Sequence, residues 1–91
     1  MEKLRAEILI EGKVQGVFFR ANIKEFAQEL GVVGSVRNLE EGKVEVIAEG
    51  SENLLKELVL WCKDGPKLAK IENVQVRYTT PKDEFTTFER K

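Results

Sequence analysis

Gly12-Lys13-Val14-Gln15-Gly16-Val17-Phe18-Phe19-Arg20 is the stretch on which the fold turns. On its N-terminal side Leu4, Ala6, Ile8 and Ile10 alternate with Arg5, Glu7 and Glu11, a period-2 pattern that predicts a half-buried strand ending at Gly12. On its C-terminal side Phe19, Ile23, Phe26, Ala27 and Leu30 recur along one face of a helix, which Gly31 closes as a C-cap. The stretch is therefore a glycine-bounded loop that delivers an arginine to a helix start. Unpaired N–H groups at that point, the positive end of the helix dipole and a guanidinium fork together favour a phosphate-like anion.

Beyond this helix, Val33 to Leu39 and Lys43 to Glu49 read as strands separated by Glu40-Glu41-Gly42. That turn has a glycine available for positive φ, so the two strands are expected to pair as a hairpin, with Val44, Val46 and Ala48 facing one way. Gly50-Ser51 supplies an N-cap and Glu52 a first-turn negative charge to a second helix, whose wide apolar face carries Leu54, Leu55, Leu58, Val59, Trp61 and Cys62. Asp64-Gly65-Pro66 stops it, because glycine accepts a left-handed cap and proline cannot continue the ladder. Ile71, Val74, Val76 and Tyr78 predict a further strand, Phe85 to Glu89 a short edge strand, and residues 79–84 a polar surface loop between them. The order strand, helix, strand, strand, helix, strand predicts an α+β class, a ferredoxin-like βαββαβ sandwich. Its four- to five-stranded antiparallel sheet would carry both helices on one face. Ninety-one residues, 42% of them hydrophobic, suffice for one core and not for two, so residues 1–91 are expected to form a single domain.

Composition narrows the function by exclusion. Fifteen basic against 16 acidic residues leave a net charge of −1, which provides no general attraction to nucleic acid or to an anionic membrane. The strand positions are aliphatic, whereas a sheet that stacks RNA bases needs exposed aromatics. No apolar run approaches the roughly 20 residues that cross a bilayer, and no charged segment precedes a signal-like core, so a soluble, unexported protein is expected, with a cytoplasmic location and a monomer as the accompanying expectations. The absence of histidine removes most hydrolase triads and most zinc or iron sites. Cys62, the lone cysteine, falls on an apolar helix face and reads as a buried inert thiol. Glu40, Glu41, Glu45 and Glu49 read as a solvated face rather than a metal cluster, and neither a metal nor a cofactor is expected. Lys and Glu dominate the charged residues, with two Asp, a lean toward a thermophilic source.

On spacing alone, the glycines serve equally well in a tight structural turn and Asn38 as an ordinary turn residue, whereas the position of Arg20 just after two phenylalanines at a helix start favours a site facing the loop over a solvated helix charge. A wider pattern weighs on this. The loop from Gly12 to Arg20 resembles the signature of the acylphosphatases. The resemblance continues through Gly31, Gly34, Val36-Arg37-Asn38, Gly42, Val44, Val46, Gly50, Gly65-Pro66, Ala69 and Val74-Gln75-Val76. It implies hydrolysis of acyl phosphates to a carboxylate and inorganic phosphate. By the same resemblance Arg20 corresponds to the phosphate-binding arginine and Asn38 to the asparagine that positions the attacking water. Val14, Gln15, Gly16, Val17, Phe18 and Phe19 correspond to the backbone cradle for the phosphoryl oxygens.

The chemistry agrees with that implication. A loose phosphoryl-transfer transition state needs placement and charge stabilisation more than covalent help, and a carboxylate with a reference pKa of about 4 departs unprotonated. An acyl phosphate is thus the expected small-molecule partner, with phosphate or sulfate as a bound anion. Phe19, Phe26 and Trp61 are assigned to packing. Phe18, preceding the helix face, is placed to line the acyl pocket. Lys13 and Arg37 are read as surface charges that raise the local positive potential. A second reading is an acylphosphatase-like domain of a larger protein that handles carbamoyl phosphate.

Overall fold

A computed structural model of the chain describes residues 2–15, 18–65 and 69–91. Strand β1 (Lys3–Lys13) leads through the glycine loop into helix α1 (Phe19–Leu30). Strands β2 (Val33–Asn38) and β3 (Val44–Ser51) follow, then helix α2 (Glu52–Asp64), strand β4 (Lys70–Thr79) and a short strand β5 (Phe88–Arg90). The sheet runs in the order β4-β1-β3-β2-β5. α1 packs against β2 and β5, while α2 packs against β1, β3 and β4, so one face of the sheet is covered. Alternation along the strands sends Ala6, Ile8 and Ile10 of β1 and Val44, Val46 and Ala48 of β3 into the core that the helices close. Burial of each large apolar side chain there contributes roughly 1.5–3 kcal/mol. The predicted aromatic packing is present: the Trp61 ring stacks on Phe26 at 5.7 Å and meets Phe19 at 5.8 Å.

The expected hairpin forms in register from Val33 opposite Glu49 to Asn38 opposite Val44. Its turn is a short 3-10 segment, Glu40–Gly42, in which Glu41 as well as Gly42 adopts a positive φ (63° and 77°). Gly31 caps α1 in the left-handed conformation, its N–H reaching the carbonyls of Ala27 and Gln28. At Gly12 the pairing of β1 with β4 slips by a bulge. Gly12 has φ 135°, and a Cβ there would stand 2.0 Å from the carbonyl oxygen of Lys70, so only glycine lets β4 pass this close as the chain turns into the loop.

Four expectations need correction. The sheet is antiparallel through β4, β1, β3 and β2, but β5 pairs parallel to β2, because the chain returns to that edge running in the direction of β2. Ser51 occupies the N-cap position of α2 without capping; its hydroxyl is buried and finds no partner among the described residues. Gly65 ends α2 with φ 72° but ψ 173°, outside the left-handed cap region, and Pro66 lies outside the described residues.

The fourth correction concerns Glu49, which is not solvated: it is 3% exposed and lies opposite Arg5, itself 5% exposed. Arg5 Nη1 donates to Glu49 at 3.0 Å and to Glu84 at 3.1 Å, and its Nε donates to Glu7 at 3.0 Å. The polar segment after β4 folds over this pair, and the backbone N–H groups of Lys82 and Asp83 donate to the Glu49 carboxylate. Burial would push that carboxyl up, yet these donors together hold it below the usual carboxylate range. A residue on the outward strand face is thereby sealed by a loop that looked merely superficial.

Candidate active site

The cradle is built where β1 ends and α1 begins. Val14 is fully buried and anchors the start of the loop in the core, and Phe19 does the same at its end. Between them, Gln15 commits its side-chain amide to the hairpin: Nε2 donates to the main-chain carbonyls of Leu39 at 2.9 Å and Lys43 at 2.8 Å. These carbonyls bracket the β2–β3 turn, so one amide ties the loop to the hairpin that carries Asn38. Gly16 and Val17 lie outside the described residues.

Phe18 occupies the N-cap position of α1 with φ 59° and ψ 23°, a left-handed conformation that costs a bulky residue roughly 1–2 kcal/mol. It cannot cap the helix, and the first turn contains no acidic residue. Within the described residues, the Asn22 N–H donates to the carbonyl of Phe18 at 3.0 Å. The positive pole of the helix dipole at this end thus has no side-chain cap. α2 differs, since Glu52 sits in its first turn.

Asn38 ends β2 two residues beyond buried Val36, and so leaves the sheet on the same face, toward the helices. Val14, Gln15, Phe18, Phe19, Arg20 and Asn38 accordingly line one cleft of about 180 Å³, together with Ala21 and Arg90, which were not anticipated. Ala21 follows from the helix start itself. Arg90 carried no local signal, because its proximity depends on β5 pairing with β2. The Arg20 guanidinium donates Nη1 to the main-chain oxygen of Lys91, which restrains its swing at the rim. Arg37 is exposed and bonded to Glu45 at 2.7 Å, and Lys13 is exposed, in keeping with surface roles. Cys62 is fully buried, and burial pushes its thiol up to about 12, out of any nucleophilic range near neutrality. No helix among the described residues is long and apolar enough to cross a membrane.

Comparison with known proteins bears on this cleft. A family model described as acylphosphatase matches residues 6–90. The acylphosphatase of Roseiflexus sp. (strain RS-1) is 46% identical over 88 residues, covering 97% of this chain and 95% of its own. The crystal structure of acylphosphatase from Bacillus subtilis superposes with a TM-score of 0.92 at 32% identity, covering 97% of this chain and 98% of that one. Full-length HypF, solved in a phosphate- and nucleotide-bound form, contains a region with a TM-score of 0.90 at 31% identity; it covers 99% of this chain and 12% of HypF.

Proposed function

The chain belongs to the acylphosphatase family, hydrolases that cleave acyl phosphates to a carboxylate and inorganic phosphate, and we propose that the loop of residues 12–20 and the end of β2 perform that reaction here. In this reading the backbone of Val14, Gln15, Gly16, Val17, Phe18 and Phe19 cradles the phosphoryl oxygens, Arg20 anchors them, and Asn38 holds the attacking water. The observation that carries it is the convergence of the uncapped start of α1, Arg20 and Asn38 on one cleft.

Amides aimed at one point and a fixed guanidinium stabilise charge spread over three equatorial oxygens, which is what a loose phosphoryl-transfer transition state presents. Water oxygen attacks phosphorus, and the bond from phosphorus to the acyl oxygen breaks with its electron pair leaving on the carboxylate. A water proton passes to a phosphoryl oxygen. The carboxylate, with a reference pKa of about 4, needs no general acid. An amide side chain can both accept from and donate to the water, fixing its line of attack without titrating. The volume suits a small substrate, being below the roughly 300 Å³ at which drug-sized pockets begin.

The same reading takes residues 1–91 as one domain that acts as a monomer without a metal ion, binding phosphate or sulfate in the cradle as a competitive anion. A lone buried thiol that builds no disulfide suits the reducing cytoplasm. The carbamoyl-phosphate-handling reading is not favoured, since the Roseiflexus relative, 46% identical, is an acylphosphatase.

The deciding assay is phosphate release from acetyl and benzoyl phosphate beside phenyl phosphate, an ester. Turnover of the acyl phosphates alone is expected; turnover of the ester alone overturns the reading. Arg20→Ala should abolish turnover and weaken phosphate inhibition, whereas Asn38→Ala should lower kcat with KM little changed. Full kcat in Asn38→Ala removes the water-holding role.

A further inference from the structure

The chain has five arginines, and four donate to an oxygen of the protein: Arg5 to three glutamates, Arg20 to Lys91, Arg37 to Glu45 and Arg77 to Glu7. Among the described residues, Arg90 makes no such bond and no ion pair. The backbone determines where its side chain goes. Phe88 is 2% exposed and turned into the core, so Arg90, two residues on, leaves β5 on the same face, beside the start of α1. There it lines the cleft with Arg20 and Asn38, and it also lines the shallower groove that continues along α1 past Ala21, Lys24, Glu25 and Gln28. Arg90 therefore stands at the mouth, where the cleft opens onto the helix flank, with Phe18, 78% exposed, also on the rim.

A volume of about 180 Å³ is worth roughly six waters at about 30 Å³ each. A phosphoryl group with its attacking water occupies much of that, so the acyl group must run outward past the mouth. We propose that Arg90 is a specificity-determining residue that binds a carboxylate on the acyl group, so that this chain prefers phosphates of dicarboxylic acids over those of uncharged acids. The inference rests on the hydrolase reading above and names its substrate class. A guanidinium with its donors unspent offers a planar fork to a carboxylate, and the contact is charge-assisted. Phe18 gives the methylene chain an apolar wall on the way.

The test compares kcat/KM for adipoyl monophosphate and hexanoyl phosphate, which share a chain length and differ in the terminal carboxylate. The unsubstituted chain should favour the adipoyl compound, by a margin that shrinks with rising ionic strength. In Arg90→Met, which keeps the stem and removes the charge, the ratio should fall by about tenfold or more, the loss expected of a hydrogen bond between charged groups. Arg90→Lys should retain part of it. The side chain is exposed, so both variants should melt with the unsubstituted chain. An active chain that lacks the preference, or a ratio unmoved by Arg90→Met, overturns this inference alone. A chain inert on both compounds yet active on acetyl phosphate also overturns this inference alone, and one inert on acetyl phosphate as well overturns the hydrolase reading with it.

Discussion

Gln15 Nε2 lies 2.9 Å from the main-chain carbonyl oxygen of Leu39, and this bond, shared with the Lys43 carbonyl at 2.8 Å, joins the glycine loop to the turn behind Asn38. The two halves of the candidate site come from distant parts of the chain, and one side-chain amide sets their spacing. Gln15→Leu removes the side-chain donor from the Leu39 carbonyl of a partly buried turn, while the Lys43 carbonyl keeps the Leu39 N–H at 2.8 Å, at a cost of about 1–3 kcal/mol. Urea midpoints should register that loss. Misplacement by about 1 Å can cost on the order of a hundredfold in rate, so kcat should fall far more than KM rises. Unchanged kcat in a folded Gln15→Leu variant would mean that the tether has no part in positioning.

The proposed chemistry has no titrating protein group. A guanidinium and an amide keep one protonation state near neutrality. The rate on acetyl phosphate should therefore be nearly flat from pH 6 to 8 and indifferent to chelator. A bell with both limbs inside that window, or inactivation by chelation that added metal reverses, would contradict it.

Acid should weaken the fold through Glu49. Its carboxyl is held below the ordinary value in the folded chain, so it contributes stability that is complete above the unfolded pKa of about 4.3. That contribution fades as pH falls through the unfolded and then the folded value. Denaturation midpoints followed from pH 7 to 3 should drop steeply below about 4.3, and more shallowly in Glu49→Gln. At neutral pH Glu49→Ala should cost about 1–3 kcal/mol, because it removes one of the three carboxylates on the buried Arg5 guanidinium and the acceptor of the Lys82 and Asp83 N–H groups. Equal acid slopes in the unsubstituted chain and Glu49→Gln would assign the acid sensitivity to other groups.

Phe18 trades stability for position. Its left-handed backbone is unfavourable for an aromatic residue, and its ring, 78% exposed, recovers little by packing. Asparagine tolerates that conformation, so Phe18→Asn should raise stability by about 0.5–1 kcal/mol. The same variant should alter relative kcat/KM across acyl groups of different size. A stabilised variant with an unaltered substrate profile would make the ring incidental to the acyl pocket.

The elements were legible because each rests on local periodicity. Ala6, Ile8 and Ile10 alternate, Phe19, Ile23 and Ala27 wind, and glycines punctuate at 12, 31 and 42. The loop with Arg20 and Asn38 was legible only through the longer family pattern, since a glycine loop and a turn asparagine are common singly. What escaped depends on distant pairing. Glu49 alternates as an outward residue should, and only the segment that returns after β4 buries it. Arg90 occupies a three-residue strand whose neighbour, β2, lies some fifty positions earlier. Gln15 was expected to serve through its backbone; its side-chain partners lie across the turn between β2 and β3.

The parallel pairing of β5 with β2 also bears on how copies of the chain meet. Without β5, the strand that ends in Asn38 would be an outer rung, its unpaired amides and carbonyls facing solvent over the length of Val33–Asn38. Three residues of β5 cover part of that rung, and the terminal ladder bond from Lys91 N–H to the Val36 carbonyl at 2.9 Å extends the cover. Peeling the tail away would uncover a template for a neighbour's backbone at the same moment as it slackens the cleft. Loosening of β5 would thus expose the β2 edge, and light scattering should register it as self-association before any global melting.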